Sequence, residues 1–308
     1  MSAPRAQAIG VIGAGAVGQS IATTLMSSQL PGRLLIASRT LEQAEALAAD
    51  LEDMRQATGA STRPQGCEVV RMHDCEALVI AARAAFTNTR RADIRMAGAA
   101  ANAPLISSLA TSLRSYQGTV VMVTNPVDLM TRLFAEVSGC PRVFGIGANL
   151  DSARYRHTLA RLLGADPQDV RGHVIGEHGD AAVLCASTTT VNGRTIEVPL
   201  TRVREELRTR PTCISEHLGR TRCGPAGAVL STLHKTLALA DGTEELTTAY
   251  RGDWLGIPLH FTSGRPLPCL PRLNPDESRQ LAAAAAKLNT AYQALQPHLA
   301  PIPQETTP

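Results

Sequence analysis

The sequence predicts an α/β protein, a Rossmann-type doubly wound parallel sheet followed by a C-terminal α+β domain. Three observations carry this. Short, wholly apolar runs alternate with helical patterns through the first half of the chain, as buried parallel strands alternate with their crossover helices. A glycine loop, Gly13-Ala-Gly-Ala-Val-Gly18, joins the first apolar run to the first helical pattern. After about Gly147 the texture changes to an alternating Thr- and Val-rich segment with a hairpin signal, Asn192-Gly193.

Residues 8–12 read as a buried strand, and the glycine loop then opens a helix to about Ser28. Residues 33–37 form a second strand. Leu41, Ala44, Leu47, Ala48 and Leu51 fall at helical spacing, which predicts a helix over 41–53. Residues 77–81 and 120–123 are further apolar strands, the latter ended by Asn125-Pro126. Residues 152–163 read as helix. Residues 183–191 read as one alternating strand, turning at Asn192-Gly193 into 195–199. A closing helix has Asn274 as cap, Pro275 in its first turn, and Asp276 and Glu277 at the positive end of its dipole. Leu281, Ala285, Leu288, Ala291 and Leu295 form its expected buried stripe. The expected division is a dinucleotide-binding domain over 1–147, a substrate and catalytic domain over 148–296, and a flexible proline-rich tail over 297–308.

With 308 residues there is room for two domains. Aromatic content is 3%, so the core must rest on Leu, Val, Ile and Ala. A net charge of +3 with dispersed arginines argues against nucleic-acid binding. The seven cysteines lie at no metal-ligand spacing, so no metal is expected, and free thiols suit a reducing cytoplasm. Residues 6–32 carry no charge, but five glycines and a proline speak against a membrane span. No signal-peptide pattern is evident, and a cytoplasmic location is expected.

Gly13, Gly15 and Gly18, with Ala16 and Val17 between them, sit between strand and helix as in a Rossmann-type nucleotide site. The first glycine allows a tight turn, the second a close approach of backbone to a pyrophosphate, and the third close packing of helix on sheet. The helix N-terminus then presents free N–H groups to the phosphates. About twenty residues on, an acidic residue would accept the ribose 2′-hydroxyl and repel a 2′-phosphate. This chain has Ala37 there, followed by Ser38, Arg39 and Thr40. Two hydroxyls and a guanidinium fork suit a 2′-phosphate, so NADP(H) is expected in preference to NAD(H). The residues alone equally allow Arg39 to be a solvated surface group.

Three further motifs follow in order: Thr124-Asn-Pro-Val-Asp128, Asn149-Leu-Asp-Ser-Ala-Arg154 and Gly176-Glu-His-Gly-Asp180. With the glycine loop, the set resembles the lactate/malate dehydrogenase family over about residues 9–295. The resemblance implies an NADPH-dependent 2-oxo acid reductase that gives an L-2-hydroxy acid, working as a homodimer or homotetramer. His178 is then the acid/base, suited to proton exchange near neutrality. Asp151 holds its other ring nitrogen, and Arg154 clamps the substrate carboxylate. By spacing alone, Asp151 and Arg154 equally fit an intrahelical ion pair. Arg91 corresponds to the family's loop arginine that polarises the carbonyl, with Arg90 as an alternative. Asn125 orients the nicotinamide, and Thr248 resembles a hydroxyl residue beside the substrate. Phe86 stands where malate-specific members carry an arginine, which favours a neutral or apolar substituent. Arg83, Arg90 or Arg95 could still supply a cation, and Arg83 replaces a usual glycine. Alternatives are a reductase of another carboxylate-bearing acceptor, such as an imine or 3-oxo acid, and a catalytically silent nucleotide-binding regulator.

Overall fold

The computed structural model describes residues 6–87 and 93–295. Its first half alternates β1 (Ala6–Ile12), α1 (Ala16–Ser28), β2 (Pro31–Ala37), α2 (Leu41–Thr58), β3 (Arg63–Gly66), β4 (Ala77–Ile80), α3 (Ala99–Ser112), β5 (Thr119–Met122), α4 (Val127–Ser138) and β6 (Val143–Gly145). These strands are parallel and lie in the order β3-β2-β1-β4-β5-β6. The order reverses between β1 and β4, where such sheets open a ligand crevice at the strands' carboxyl ends.

The unbroken apolar runs have a physical cause. Side chains alternate between faces of a strand, and both faces are covered here. Leu35, Ala37, Leu78, Ile80, Val120 and Met122 enter one core. Leu34, Ile36, Ala77, Val79 and Val121 enter the other. Polar alternation would therefore have put polar side chains into a core.

The second half contains α5 (Ala148–Leu163), β7 (Val170–Arg171), β8 (Val174–Gly176), β9 (Ala182–Leu184), β10 (Thr190–Val191), β11 (Arg194–Thr195), α6 (Leu200–Leu218), α7 (Cys223–Thr236), β12 (Gly242–Tyr250), β13 (Asp253–Thr262), β14 (Arg265–Pro268) and α8 (Pro275–Gln293). Its main strands do not form a separate sheet. β12 joins β6 antiparallel at Thr247↔Gly145, and the sheet continues through β13, β8 and β9. One sheet thus carries both halves and holds their loops in fixed relation.

Two sequence expectations fail here: the strand expected over 195–199 is only β11, Arg194–Thr195, and the one over 183–191 is broken. Residues 183–191 are not one strand: β9 ends at Leu184, a 3-10 turn covers Ala186–Thr188, and β10 follows. Glu277 of α8 takes the Ser187 amide at 2.8 Å and the Ser187 hydroxyl at 2.5 Å, which draws the chain out of line. The hairpin signal holds, with Asn192 and Gly193 both at positive φ between β10 and β11. α8 begins with a capping box between Asn274 and Glu277. Ala285, Leu288 and Leu295 of its stripe are buried, while Leu281 and Ala291 pack against the core half-buried. The tail expected over 297–308 lies outside the described residues.

Candidate active site

The glycine loop follows β1 at the crevice. A Cβ on Gly18 would lie 1.7 Å from the Gly13 carbonyl oxygen, so α1 packs under the loop only with glycine there. A Cβ on Gly15 would meet nothing within 4 Å, because that side faces an open cleft of about 660 Å3. Ala16 and Val17 start α1 on the same wall, and the first turn of α1 holds no acidic residue. An open backbone cradle at a helix N-terminus fits a dinucleotide pyrophosphate.

Ala37 is buried at the end of β2, and its carbonyl accepts the Gly13 amide at 2.8 Å. Its methyl group points into the core and not onto the cleft wall, so the expectation that position 37 faces the ribose fails: strand alternation turns Ser38 to the cleft instead. Ser38 accepts the Ala14 amide at 3.3 Å and donates to Gln43 at 2.7 Å, which fixes its hydroxyl beside the loop. Arg39 is exposed on the cleft wall, without a partner among the described residues. Thr40 departs from expectation: its side chain accepts the Gln43 amide as the cap of α2, and it is not on the cleft wall. Among the described residues no carboxylate lines this cleft, whereas Arg39, Arg83, Arg95 and Arg220 do. The Arg83 guanidinium lies 4.3 Å from the ring centre of Phe86, another wall residue. Burial, then the charge of Arg220, lower the pKa of Arg83.

Asn125 also faces the cleft. Its carbonyl accepts the Asn102 amide nitrogen at 2.7 Å, while the Asn102 oxygen accepts the Ala84 amide at 2.8 Å. Buried Asn102 thus ties the segment after β4 to the segment after β5. No motif in the sequence pointed to it.

Beyond Asn125 stands a cluster of charged side chains. Asp151 and Arg154 project from one face of α5, with 3.2 Å between Arg154 Nη1 and Asp151 Oδ1. His178 follows β8, and its Nδ1 lies 2.7 Å from Asp151 Oδ2. Gly147, at φ +139°, lets the ring pack on the start of α5: a Cβ there would come within 2.5 Å of the His178 ring. Residues 27 positions apart meet because β8 packs against α5 and pairs with β13. Burial alone would raise the Asp151 pKa. The charge of His178 and its hydrogen bond, then the charges of Arg95 and Arg154, outweigh burial and hold the carboxyl well below the usual range. Burial lowers the pKa of Arg154, against the charge of Asp151.

Sequence reasoning gave no role at this centre to Asp128 or Thr247, and offered Arg95 only as one possible cation for the substrate. Arg95 Nη2 lies 4.0 Å from Asp151 Oδ1 and also lines the cleft, which joins the two regions. Asp128 on α4 accepts the His178 amide at 2.8 Å with one oxygen and the Thr247 hydroxyl with the other. Thr248 is half-buried on β12 opposite Leu255, and among the described residues no hydrogen bond links it to the cluster. A one-residue step along a strand reverses the face, so it is Thr247 that reaches Asp128. Arg91 and its alternative Arg90 lie outside the described residues. Among the described residues no group of His, Cys, Asp and Glu could hold a metal ion, and no helix is long and apolar enough to cross a membrane.

Comparison with known proteins matches residues 7–145 to the family model "lactate/malate dehydrogenase, NAD binding domain" and residues 148–209 to "lactate/malate dehydrogenase, alpha/beta C-terminal domain". The L-lactate dehydrogenase of Lactococcus lactis subsp. cremoris (strain NZ9000) is 35% identical over 193 residues, 60% of this chain and 60% of that protein. That of Limosilactobacillus reuteri is 34% identical over 207 residues, 65% of this chain and 61% of its own length. The matched region thus spans about 60% of these relatives' length. Among solved structures, malate dehydrogenase from Plasmodium falciparum superposes with a TM-score of 0.86 at 20% identity, covering 95% of this chain and 99% of its own. Minor L-lactate dehydrogenase from Enterococcus mundtii gives 0.85 at 23% identity, covering 94% and 98%. At such identities the likeness bears on the fold alone.

Proposed function

For a chain that belongs to the lactate/malate dehydrogenase family, we propose NADPH-dependent reduction of a 2-oxo acid to an L-2-hydroxy acid. The observation that carries the reading is the His178–Asp151–Arg154 cluster beside a carboxylate-free cleft with a glycine loop.

Bound reduced nicotinamide supplies the hydride. Arg154 holds the substrate carboxylate through its guanidinium fork. His178 gives the proton from Nε2 to the carbonyl oxygen, and in the reverse direction takes it back. Asp151 keeps Nδ1 protonated and the ring oriented, and it offers a counterion to the charged imidazole. Asp128 and Thr247 fix the backbone beneath that ring. Asn125 orients the nicotinamide amide, and Arg91 polarises the carbonyl. Gly13, Gly15, Ala16, Val17 and Gly18 form the pyrophosphate cradle. Ser38 and Arg39 meet the 2′-phosphate, on a wall that holds no carboxylate among the described residues to repel it.

Phe86 supports a neutral or apolar substituent on the substrate. A second reading, an anionic substituent, rests on Arg83 lying over that ring. Absorbance loss at 340 nm, with NADPH and NADH in parallel, tests both readings. The acids would be pyruvate, oxaloacetate, phosphonopyruvate, and branched and aromatic 2-oxo acids. Faster turnover with NADPH is expected. Faster turnover with NADH would overturn the cofactor assignment, and no turnover on any acid would overturn the reaction.

We further propose a cytoplasmic homodimer or homotetramer with domains divided at residue 147. The cysteines, all free, support a reducing compartment. Light scattering of the purified protein tests the assembly.

A further inference from the structure

α8 carries a lysine that the proposed reaction leaves without a role. Lys287 Nζ lies 2.7 Å from Asp93 Oδ1 and 2.8 Å from Glu177 Oε2. Glu177 immediately precedes His178, and its side chain is only 2% exposed. The same Glu177 oxygen accepts the Ala181 amide at 2.8 Å, which closes the loop around His178 on itself. Asp93 begins the turn Ile94–Gly98 that delivers Arg95 to Asp151, and its amide donates to Asp180 Oδ2 at 3.0 Å. Asp93 sits in the left-handed region at φ +53°, which Asp adopts more readily than most residues other than glycine.

Three carboxylates, Asp93, Glu177 and Asp180, thus gather where two loops meet, and Lys287 is paired with two of them. Two buried or half-buried anions at this spacing repel unless a cation lies between them. Burial would lower the Lys287 pKa, but the hydrogen bonds to Asp93 and Glu177 outweigh it and raise it, so the ammonium stays charged.

We propose that Lys287 is a positioning residue for the reaction: one ammonium on α8 sets the spacing between the loop that bears His178 and the turn that bears Arg95. The inference rests on the reductase reading, since only a reaction between those groups makes their spacing matter. It acts through other residues and touches no substrate.

Lys287→Met and Lys287→Arg in the full-length protein test it. The methionine keeps the length and removes the charge, while the arginine restores the charge. With the best 2-oxo acid, Lys287→Met should lower kcat about 10- to 100-fold, the scale of an ångström-size misplacement. KM for NADPH should stay near the parental value, and Lys287→Arg should recover most of kcat. Hydrogen–deuterium exchange gives a second readout that needs no turnover. Lys287→Met should speed exchange in peptides covering 176–182 and 93–98 together, and leave the glycine loop unchanged. Parental kcat in Lys287→Met would overturn the proposal. So would a loss that Lys287→Arg does not restore, or exchange that rises uniformly through the chain. If the parent turns over no acid, the reductase reading fails. Unchanged exchange in both loops would then refute the linkage as well, and coupled exchange would sustain it.

Discussion

Around the glycine loop the chain offers main-chain amides, a fixed serine hydroxyl and exposed arginines. Around His178 it offers side chains locked to one another. Arg39 has no partner among the described residues, while Asp151 is shared by His178, Arg154 and Arg95. The glycine-loop side of the cleft wall is assembled at the ends of β1 and β2, and Arg83, Asn125 and Arg220 join it from farther along the chain. The charge cluster joins α4, α5, β12 and the loop after β8. A wall built of backbone and solvated side chains should lose little when one side chain goes, and that loss should be specific to one ligand. An interlocked buried cluster should lose much, because each removal leaves a charge or a donor unmatched.

His178→Ala should test this contrast with the largest effect. We expect kcat to fall by about 10²–10⁴-fold, the usual range for a lost acid/base group, with NADPH affinity by fluorescence titration essentially unchanged. A rate near the parental one would remove His178 from the mechanism. Asp151→Asn keeps the volume and removes the charge that orients the ring. It should cost on the order of 10²-fold in kcat/KM through ring misplacement.

The same variant probes pH dependence. The folded-state pKa of Asp151 is depressed, so its carboxylate contributes stability above the unfolded value and loses it as pH falls through the folded one. The Tm advantage of parent over Asp151→Asn should therefore be greatest near neutrality and shrink below about pH 4. An advantage that does not vary with pH would show that packing, not charge, holds the cluster.

At the cleft wall smaller and more selective effects are expected. Arg39→Ala should raise KM for NADPH about tenfold, the scale of one charged hydrogen bond, and leave KM for NADH unchanged. Ser38→Asp, which puts a carboxylate on the cleft wall, should move preference toward NADH. Equal effects on both cofactors would break the assignment of this wall to the 2′-phosphate. Smallest in kinetics is Asn274→Ala, at the cap of α8 and outside both regions. It should cost about 1 kcal/mol in denaturant unfolding and leave kcat unchanged.

Much of the fold was legible because its signals are local. Both faces of β1, β2, β4 and β5 are buried, so continuous apolar runs marked them without ambiguity. The cap of α8 and the turn at Asn192-Gly193 are decided by a few neighbouring residues. The strand expected over 183–191 failed because Glu277, ninety positions away from Ser187, diverts it. Thr40 was read as a ligand hydroxyl, yet the unsatisfied Gln43 amide at the start of α2 claims it. Thr247, one position before the Thr248 that the resemblance singled out, is the hydroxyl that reaches Asp128, a contact that depends on which face of β12 packs against α4. Asp128 stood inside a recognised motif, but its grip on the His178 amide spans 50 residues and leaves no periodic trace.

The sequence by itself determined the doubly wound half, the glycine loop, the lack of an acidic residue at the end of β2 and the residue types of the chemical centre. These depend on backbone conformation and on side chains within a turn or strand of one another. Tertiary structure alone decided that one sheet carries both halves, that Arg95 reaches Asp151, and that Lys287 spans Asp93 and Glu177. Each of these joins segments far apart in the chain. Such contacts are fixed by how strands pair and helices pack, and no spacing in the sequence encodes them.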